Sequence, residues 1–190
     1  MTENLLNYCS SHIQLTVSDK EAIESTFKPM SLRRNEFLLK EGMVCDFVAY
    51  VNSGVIRHHH MKDGNEITCD ITLQNNFITD FKSLTQGVPT NYNFQILKNA
   101  ELLVIKKSDL LRLYKENRNI ESLGRIMAER VAQRITEIAM SLSSDKPEER
   151  FEKLMKQRAD LFQQVPLRYL ANLLGISPES LSRIRARRKS

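Results

Sequence analysis

The residues with the most chemistry in them fall in two places: the run Arg57-His58-His59-His60 and a basic segment at the C-terminal end. In an extended strand, side chains two apart share a face, so His58 and His60 have the placement of two metal ligands. A third ligand is hard to find. Glu66 lies beyond the turn-forming Lys62-Asp63-Gly64-Asn65, and the remaining histidine, His12, belongs to an opening helix. A half-buried His-rich strand is the plainer expectation, and no metal or other cofactor is assigned. Cys9, Cys45 and Cys69 are odd in number, far apart and free of any CxxC spacing, which argues for reduced thiols and against a disulfide framework or a zinc or iron–sulfur site. There is no Gly-rich phosphate loop, nucleophile elbow or convincing acid/base pair, so no catalytic residue is expected.

The second place is more informative. The net charge of +5 is carried entirely by the last segment: from Val165 to Ser190 stand Arg168, Arg183, Arg185, Arg187, Arg188 and Lys189 against the single acid Glu179, and residues 1–164 balance to zero. A positive end on a neutral body suits a polyanion, and the fold-forming apolar residues in this segment favour double-stranded DNA over an acidic membrane. The pattern reads as two short helices joined by a tight turn. Leu170 and Leu174 place apolar groups on one face of the first helix, Ala171 allows close approach, and Gly175 can take the left-handed conformation that ends it. Ser177 then caps the next helix, with Pro178 at its first position and Glu179 in its first turn. Leu181 and Ile184 turn inward, leaving Glu179, Ser180, Arg183 and Arg187 outward. Arginine can grip guanine with two hydrogen bonds, a carboxylate can accept from cytosine, and serine offers a short polar contact. Arg185, Arg188 and Lys189 suit phosphates, which fix register without reading sequence. The expected DNA-binding set is Arg168, Ser177, Glu179, Ser180, Arg183, Arg185, Arg187, Arg188 and Lys189.

Those helices need a body. The chain has 190 residues, 41% hydrophobic and 27% charged, ordinary values for a globular protein with one domain or two small ones. No apolar run is long enough to span a bilayer and the N-terminus lacks a signal pattern, so a cytoplasmic protein is expected. Opening helices are expected near residues 2–12 and 18–27, the second with a Ser18/Glu21 capping box. Short β-branched and aromatic runs follow at 32–39, 47–52, 54–61, 66–73, 91–97 and 100–106, separated by turn formers, a pattern that favours a sandwich or jelly roll. From 117 to 143 the period lengthens to a single long helix. Its stripe of Ile120, Leu123, Met127, Val131, Ile135, Ile138 and Leu142, flanked by charge, suits a two-helix seam between copies of the chain. Ser143 to Pro147 reads as an interdomain hinge that an effector could shift, with a new helix from 147 to 163.

In this order the landmarks resemble the cyclic AMP receptor protein / fumarate-nitrate regulator (CRP/FNR) superfamily over nearly the whole chain. They are Ser53-Gly54-Val55-Ile56, the hairpin Lys62-Asp63-Gly64-Asn65-Glu66-Ile67, Asn76-Phe77-Ile78, the opening Lys146-Pro147-Glu148-Glu149-Arg150-Phe151 and the helix-turn-helix from Leu173 to Ile184. The resemblance implies an α+β protein: an N-terminal β jelly roll of the cyclic nucleotide-binding type (1–116), a long dimerisation helix (117–143) and a C-terminal helix-turn-helix (144–190). It also implies a homodimeric transcription regulator that reads a pseudo-palindromic site with the helix near 178–188, with RNA polymerase and a small-molecule effector as further partners. Where cyclic-nucleotide binders of the family carry a Gly-Glu pair for the ribose and an Arg-Ser pair for the cyclic phosphate, this chain has Thr79-Asp80 and Thr90-Asn91. With Lys82 these form the candidate ligand pocket, but without the arginine's fixed charge and two-pronged grip, cyclic AMP is not the expected effector. The family's β-wing after the recognition helix has no counterpart, and the basic tail is expected to take over its phosphate contacts. Two other readings stay open at this point: a ligand-sensing or scaffolding module that does not bind DNA, and a metal-dependent, cupin-like enzyme.

Overall fold

The computed structural model describes residues 2–189, the side chains of Arg188 and Lys189 lying outside the described set. Two helices, α1 (Glu3–Ser10) and α2 (Val17–Thr26), lead into an antiparallel sheet of β1 (Lys28–Leu32), β2 (Phe37–Leu39), β3 (Phe47–Lys62), β4 (Asn65–Leu73), β5 (Asn76–Ile78) and β6 (Asn93–Lys106). The main path runs β1-β6-β3-β4, with β2 pairing on β6 and β5 on β3, so β4 forms one edge. A short α3 (Phe81–Gln86) interrupts the strands. The helices α4 (Lys107–Glu116), α5 (Arg118–Ser144), α6 (Pro147–Gln157), α7 (Leu161–Gln164), α8 (Leu167–Leu173) and α9 (Pro178–Lys189) complete the chain. This is the α+β jelly-roll arrangement with C-terminal helices expected from the alternation of short strands and the later change of period.

Four local expectations need correction. The runs at 47–52 and 54–61 form one strand of 16 residues, and those at 91–97 and 100–106 form one of 14. Gly54 does not end a strand but absorbs an irregularity within it: its φ is +108°, and a Cβ there would lie 2.6 Å from Cβ of Ala100. The run expected at 32–39 is instead split between β1 and β2, with Asn35 in the left-handed region between them. The capping box on α2 is Thr16/Asp19 rather than Ser18/Glu21. Asp19 N donates to Thr16 Oγ1 (3.1 Å) and Thr16 N donates to Asp19 Oδ2 (2.9 Å). Asn119 of α5 also donates to Asp19 Oδ2 (2.8 Å), a tertiary bond that helps select this register over its neighbour. Finally, the helix expected at 147–163 breaks at Arg158, and Asp160 restarts the chain by accepting from Leu161 N (3.0 Å).

The core has three parts. Leu39, Val51, Ile56, Phe94, Ile96 and Leu102 fill the jelly roll. Leu5, Ile23, Tyr50, Leu103, Leu113, Ile120 and Leu123 join its outer face to the flanking helices. The third part unites Val55, Ile71 and Leu73 of the sheet with Phe151, Leu161, Leu170, Leu174, Leu181 and Ile184 of the C-terminal helices. The sheet and the helix-turn-helix therefore share buried apolar surface, which strongly disfavours a freely tumbling attachment.

The stripe on α5 divides. Ile120 and Leu123 are each 5% exposed and sealed inside the chain's own core, and Met127 packs beside them, its sulfur accepting from the Tyr8 hydroxyl (3.4 Å). These three are thus occupied by intrachain packing. Further along, Ile135 and Leu142 are 60% and 51% exposed, with Val131 before them and Ile138 between them half-buried. The steps between successive stripe residues lengthen to three consecutive fours from Leu123 through Met127 and Val131 to Ile135, which rotates the second half of the stripe away from the first.

Candidate nucleic-acid interface

The helix-turn-helix is built by α8, the turn at Leu174 to Ser177, and α9. Leu170, Ala171 and Leu181 are fully buried, with Leu174 and Ile184 nearly so, holding the two helices together. Gly175 has φ +67°, and Ile176 N donates to Ala171 O (3.0 Å), closing the end of α8 in the left-handed manner that glycine permits. Ser177 Oγ accepts from Ser180 N (3.2 Å) and so caps α9.

With Leu181 and Ile184 turned in, Glu179, Arg183 and Arg187 are exposed, while Ser180 and Arg185 are half-buried. Arg183 Nη2 donates to Ser180 Oγ (3.3 Å), one turn earlier on the same face. Hydrogen bonds from its own backbone N–H and from the Ser177 hydroxyl hold the Glu179 carboxyl below its ordinary pKa, so it stays an anionic acceptor. The face thus presents one acceptor, small hydroxyls and two guanidiniums within a few turns, the combination suited to base edges in a major groove. Arg168, grouped with these residues by sequence, is exposed but engaged: its Nη2 donates to Tyr169 Oη (3.0 Å) and its guanidinium lies 4.7 Å from that ring's centroid. The side chains of Arg188 and Lys189 lie outside the described residues.

In the candidate ligand pocket, Asp80 and Thr90 are brought together: Thr90 Oγ1 donates to Asp80 Oδ2 (2.5 Å). Asp80 Oδ1 also accepts from Ser83 N (3.2 Å), capping α3, and the Thr79 hydroxyl donates to Phe47 O (2.8 Å). Three of the five residues thus serve the loop's own structure, while Lys82 and Asn91 are exposed.

The histidine run does not assemble a metal site. His58 bonds through Nε2 to Thr72 Oγ1 (2.8 Å) and stacks on Phe94, His59 faces Phe37, and His60 Nδ1 lies 3.0 Å from Cys69 Sγ. Among the described residues, no group of three His, Cys, Asp or Glu side chains could hold an ion. Arg57 is 1% exposed, donating to Glu66 Oε2 (2.5 Å) and Thr68 Oγ1 (2.8 Å), with its guanidinium 4.1 Å from the Tyr169 ring centroid.

What sequence reasoning missed lies where β4 meets the C-terminal helices. Asp70 Oδ1 accepts from Arg134 of α5 and from Arg158 Nη1 (3.3 Å). Arg158 Nη2 also donates to Ile71 O (2.5 Å), and Thr68 N donates to Asn172 Oδ1 of α8. Burial works to raise the Asp70 carboxyl's pKa, but Arg134, His58 and Arg158 outweigh it and the group sits below its ordinary value. None of these residues belongs to a periodic pattern, so only their scattered charges hinted at them.

Residues 29–117 match the family model of the cyclic nucleotide-binding domain. No curated protein matches the chain. Among solved structures, FixK2 from Bradyrhizobium japonicum is 15% identical with a TM-score of 0.73, covering 85% of this chain and 84% of that one. The catabolite activator protein of Thermus thermophilus is 20% identical with a TM-score of 0.60, covering 94% and 85%. A CRP/FNR-family protein from Eubacterium rectale is 15% identical with a TM-score of 0.66, covering 90% and 82%. At these identities the likeness is one of fold, and it extends beyond the sheet into the C-terminal helices. Among the described residues no helix is long and apolar enough to cross a membrane.

Proposed function

We propose that this chain is a homodimeric, DNA-binding transcription regulator of the CRP/FNR type. It reads a pseudo-palindromic site with the outward face of α9 and is not controlled by cyclic AMP. The observation that carries this reading is the recognition helix: Glu179, Arg183 and Arg187 exposed on a helix whose opposite face, Leu181 and Ile184, is locked into a core. That helix is joined to a jelly roll matching the cyclic nucleotide-binding family. The accessible half of the α5 stripe, Val131, Ile135, Ile138 and Leu142, supplies the dimer seam. A pseudo-palindrome follows from two-fold pairing of the reading helices.

A small-molecule effector, where one acts, is something other than cyclic AMP. The residues at the family's phosphate position, Thr90 and Asn91, bring no positive charge, and Thr90 is engaged with Asp80. Assigned roles are base reading for Glu179, Ser180, Arg183 and Arg187, and phosphate contacts for Arg185, Arg188 and Lys189, with Arg168 a further DNA contact and Ser177 setting the start of the helix. The reading includes no catalytic step.

The test is binding of the full chain to genomic fragments, beginning with its own promoter, across a salt series and beside Arg183→Ala. Specific binding that weakens with salt and falls by roughly ten- to a hundredfold in Arg183→Ala is expected. Weak, sequence-blind binding that Arg183→Ala leaves unchanged would remove the mechanism.

A further inference from the structure

The sheet edge and the C-terminal helices meet through more than apolar packing. Asp70 lies on β4 and gathers two guanidiniums from different parts of the chain: Arg134 from the middle of α5, and Arg158 from the break between α6 and α7. Arg158 continues to the neighbouring backbone, donating to Ile71 O (2.5 Å). Two residues before Asp70, Thr68 N donates to the Asn172 side chain of α8. On the adjacent strand, Arg57 packs its guanidinium on Tyr169 of the same helix, 4.1 Å from the ring centroid.

We propose that Asp70 is a positioning residue that latches the helix-turn-helix to the sensor sheet in one orientation, so that α9 is presented ready for DNA. The carboxylate bridges two guanidiniums and offsets the repulsion they would otherwise feel across the junction of sheet, long helix and C-terminal helices. The directional bonds at Ile71 and Asn172 select one docking orientation on an apolar surface that alone would tolerate several. The reading face stays uncovered while the latch is closed, since Glu179, Arg183 and Arg187 are exposed with the contacts in place. The latch therefore organises the domain in advance of binding rather than masking it.

The DNA arm of this inference rests on the proposed function, whereas the geometric arm does not. The geometric test places spin labels at Lys98→Cys on the sheet and Lys156→Cys on α6, in a Cys69→Ser background, with labelled chain diluted into unlabelled chain so that each pair reports one protomer. A single narrow distance is expected. It should broaden in Asp70→Asn, and equally in Arg158→Gln, a variant that leaves the jelly roll's own residues intact, while Arg158→Lys should restore part of the narrowing. A distribution unchanged in both Asp70→Asn and Arg158→Gln, with circular dichroism showing both folded, overturns the latch. In parallel, specific DNA affinity should fall roughly tenfold in Asp70→Asn, and a rise would overturn the claim that the latched form is the competent one. If the chain binds no DNA specifically, the distance measurement still decides the latch.

Discussion

Lowering the pH from 7.5 to 5.0 should destabilise the protein through His58. Burial pushes this imidazole's pKa down from the usual 6.5 to about 4; the Asp70 carboxylate pulls the other way, and Arg134 and Arg158 add to the fall. The folded chain therefore binds the His58 proton more weakly than the unfolded chain does. Its contribution to stability is complete above the unfolded pKa and declines as pH drops towards about 4. At pH 5 the shift corresponds to a loss of about 2 kcal/mol. His58 keeps some solvent access, so ~1 kcal/mol is the firmer expectation. The Asp70 contribution, with its pKa below the carboxylate range, is lost only at more acid pH and stays outside the window. The assay is urea unfolding at both pH values and one protein concentration, for wild type and His58→Gln, whose amide can keep a bond to Thr72. His59, also lowered chiefly by burial, contributes to both proteins and cancels. If His58→Gln loses as much stability as wild type between pH 7.5 and 5.0, the assignment is wrong.

Other perturbations read other parts of the argument. Gly54→Ala should lower stability by about 3 kcal/mol or more, seen as a large fall in melting temperature, because a Cβ at φ +108° would press to 2.6–2.8 Å on Ala100 and the Asn99 carbonyl. Ser177→Ala removes the α9 cap and should cost ~1 kcal/mol in a thermal melt, with weaker DNA binding at unchanged salt slope. Ile135→Asp, at a position 60% exposed, should leave the fold's circular dichroism intact but convert a dimer to a monomer by sedimentation; a dimer that persists would move the seam elsewhere.

The fold was legible where a residue's role is local. Gly175, Ser177 and Pro178 announced the helix-turn-helix because a left-handed stop, a hydroxyl cap and a proline at the first helical position are properties of single residues. The outward set of α9 followed from the inward placing of Leu181 and Ile184. Strand limits were less legible: Gly54 is a turn former by type, but close approach to Ala100, a residue 46 places away in sequence, keeps it inside β3. The α5 stripe was visible as a stripe, yet its division into a buried and an exposed half depends on where α1 and α4 lie. The Asp70 junction was invisible for the same reason: Asp70, Arg134 and Arg158 meet only when three elements have docked, and nothing in their spacing records it.

The bond from Thr68 N to Asn172 also has a bearing on solution behaviour. β4 is the last strand of the sheet, and an outermost strand offers its unpaired amides and carbonyls to any extended chain that arrives. In the docked chain one of those amides is consumed by the Asn172 side chain, and the apolar surface around Val55, Ile71 and Leu73 is covered by helices. A variant or condition that lifts the C-terminal helices away uncovers an adhesive strand and a greasy flank together. Undocking by that route should be accompanied by self-association, and the turbidity of a stored sample becomes a readout of domain docking.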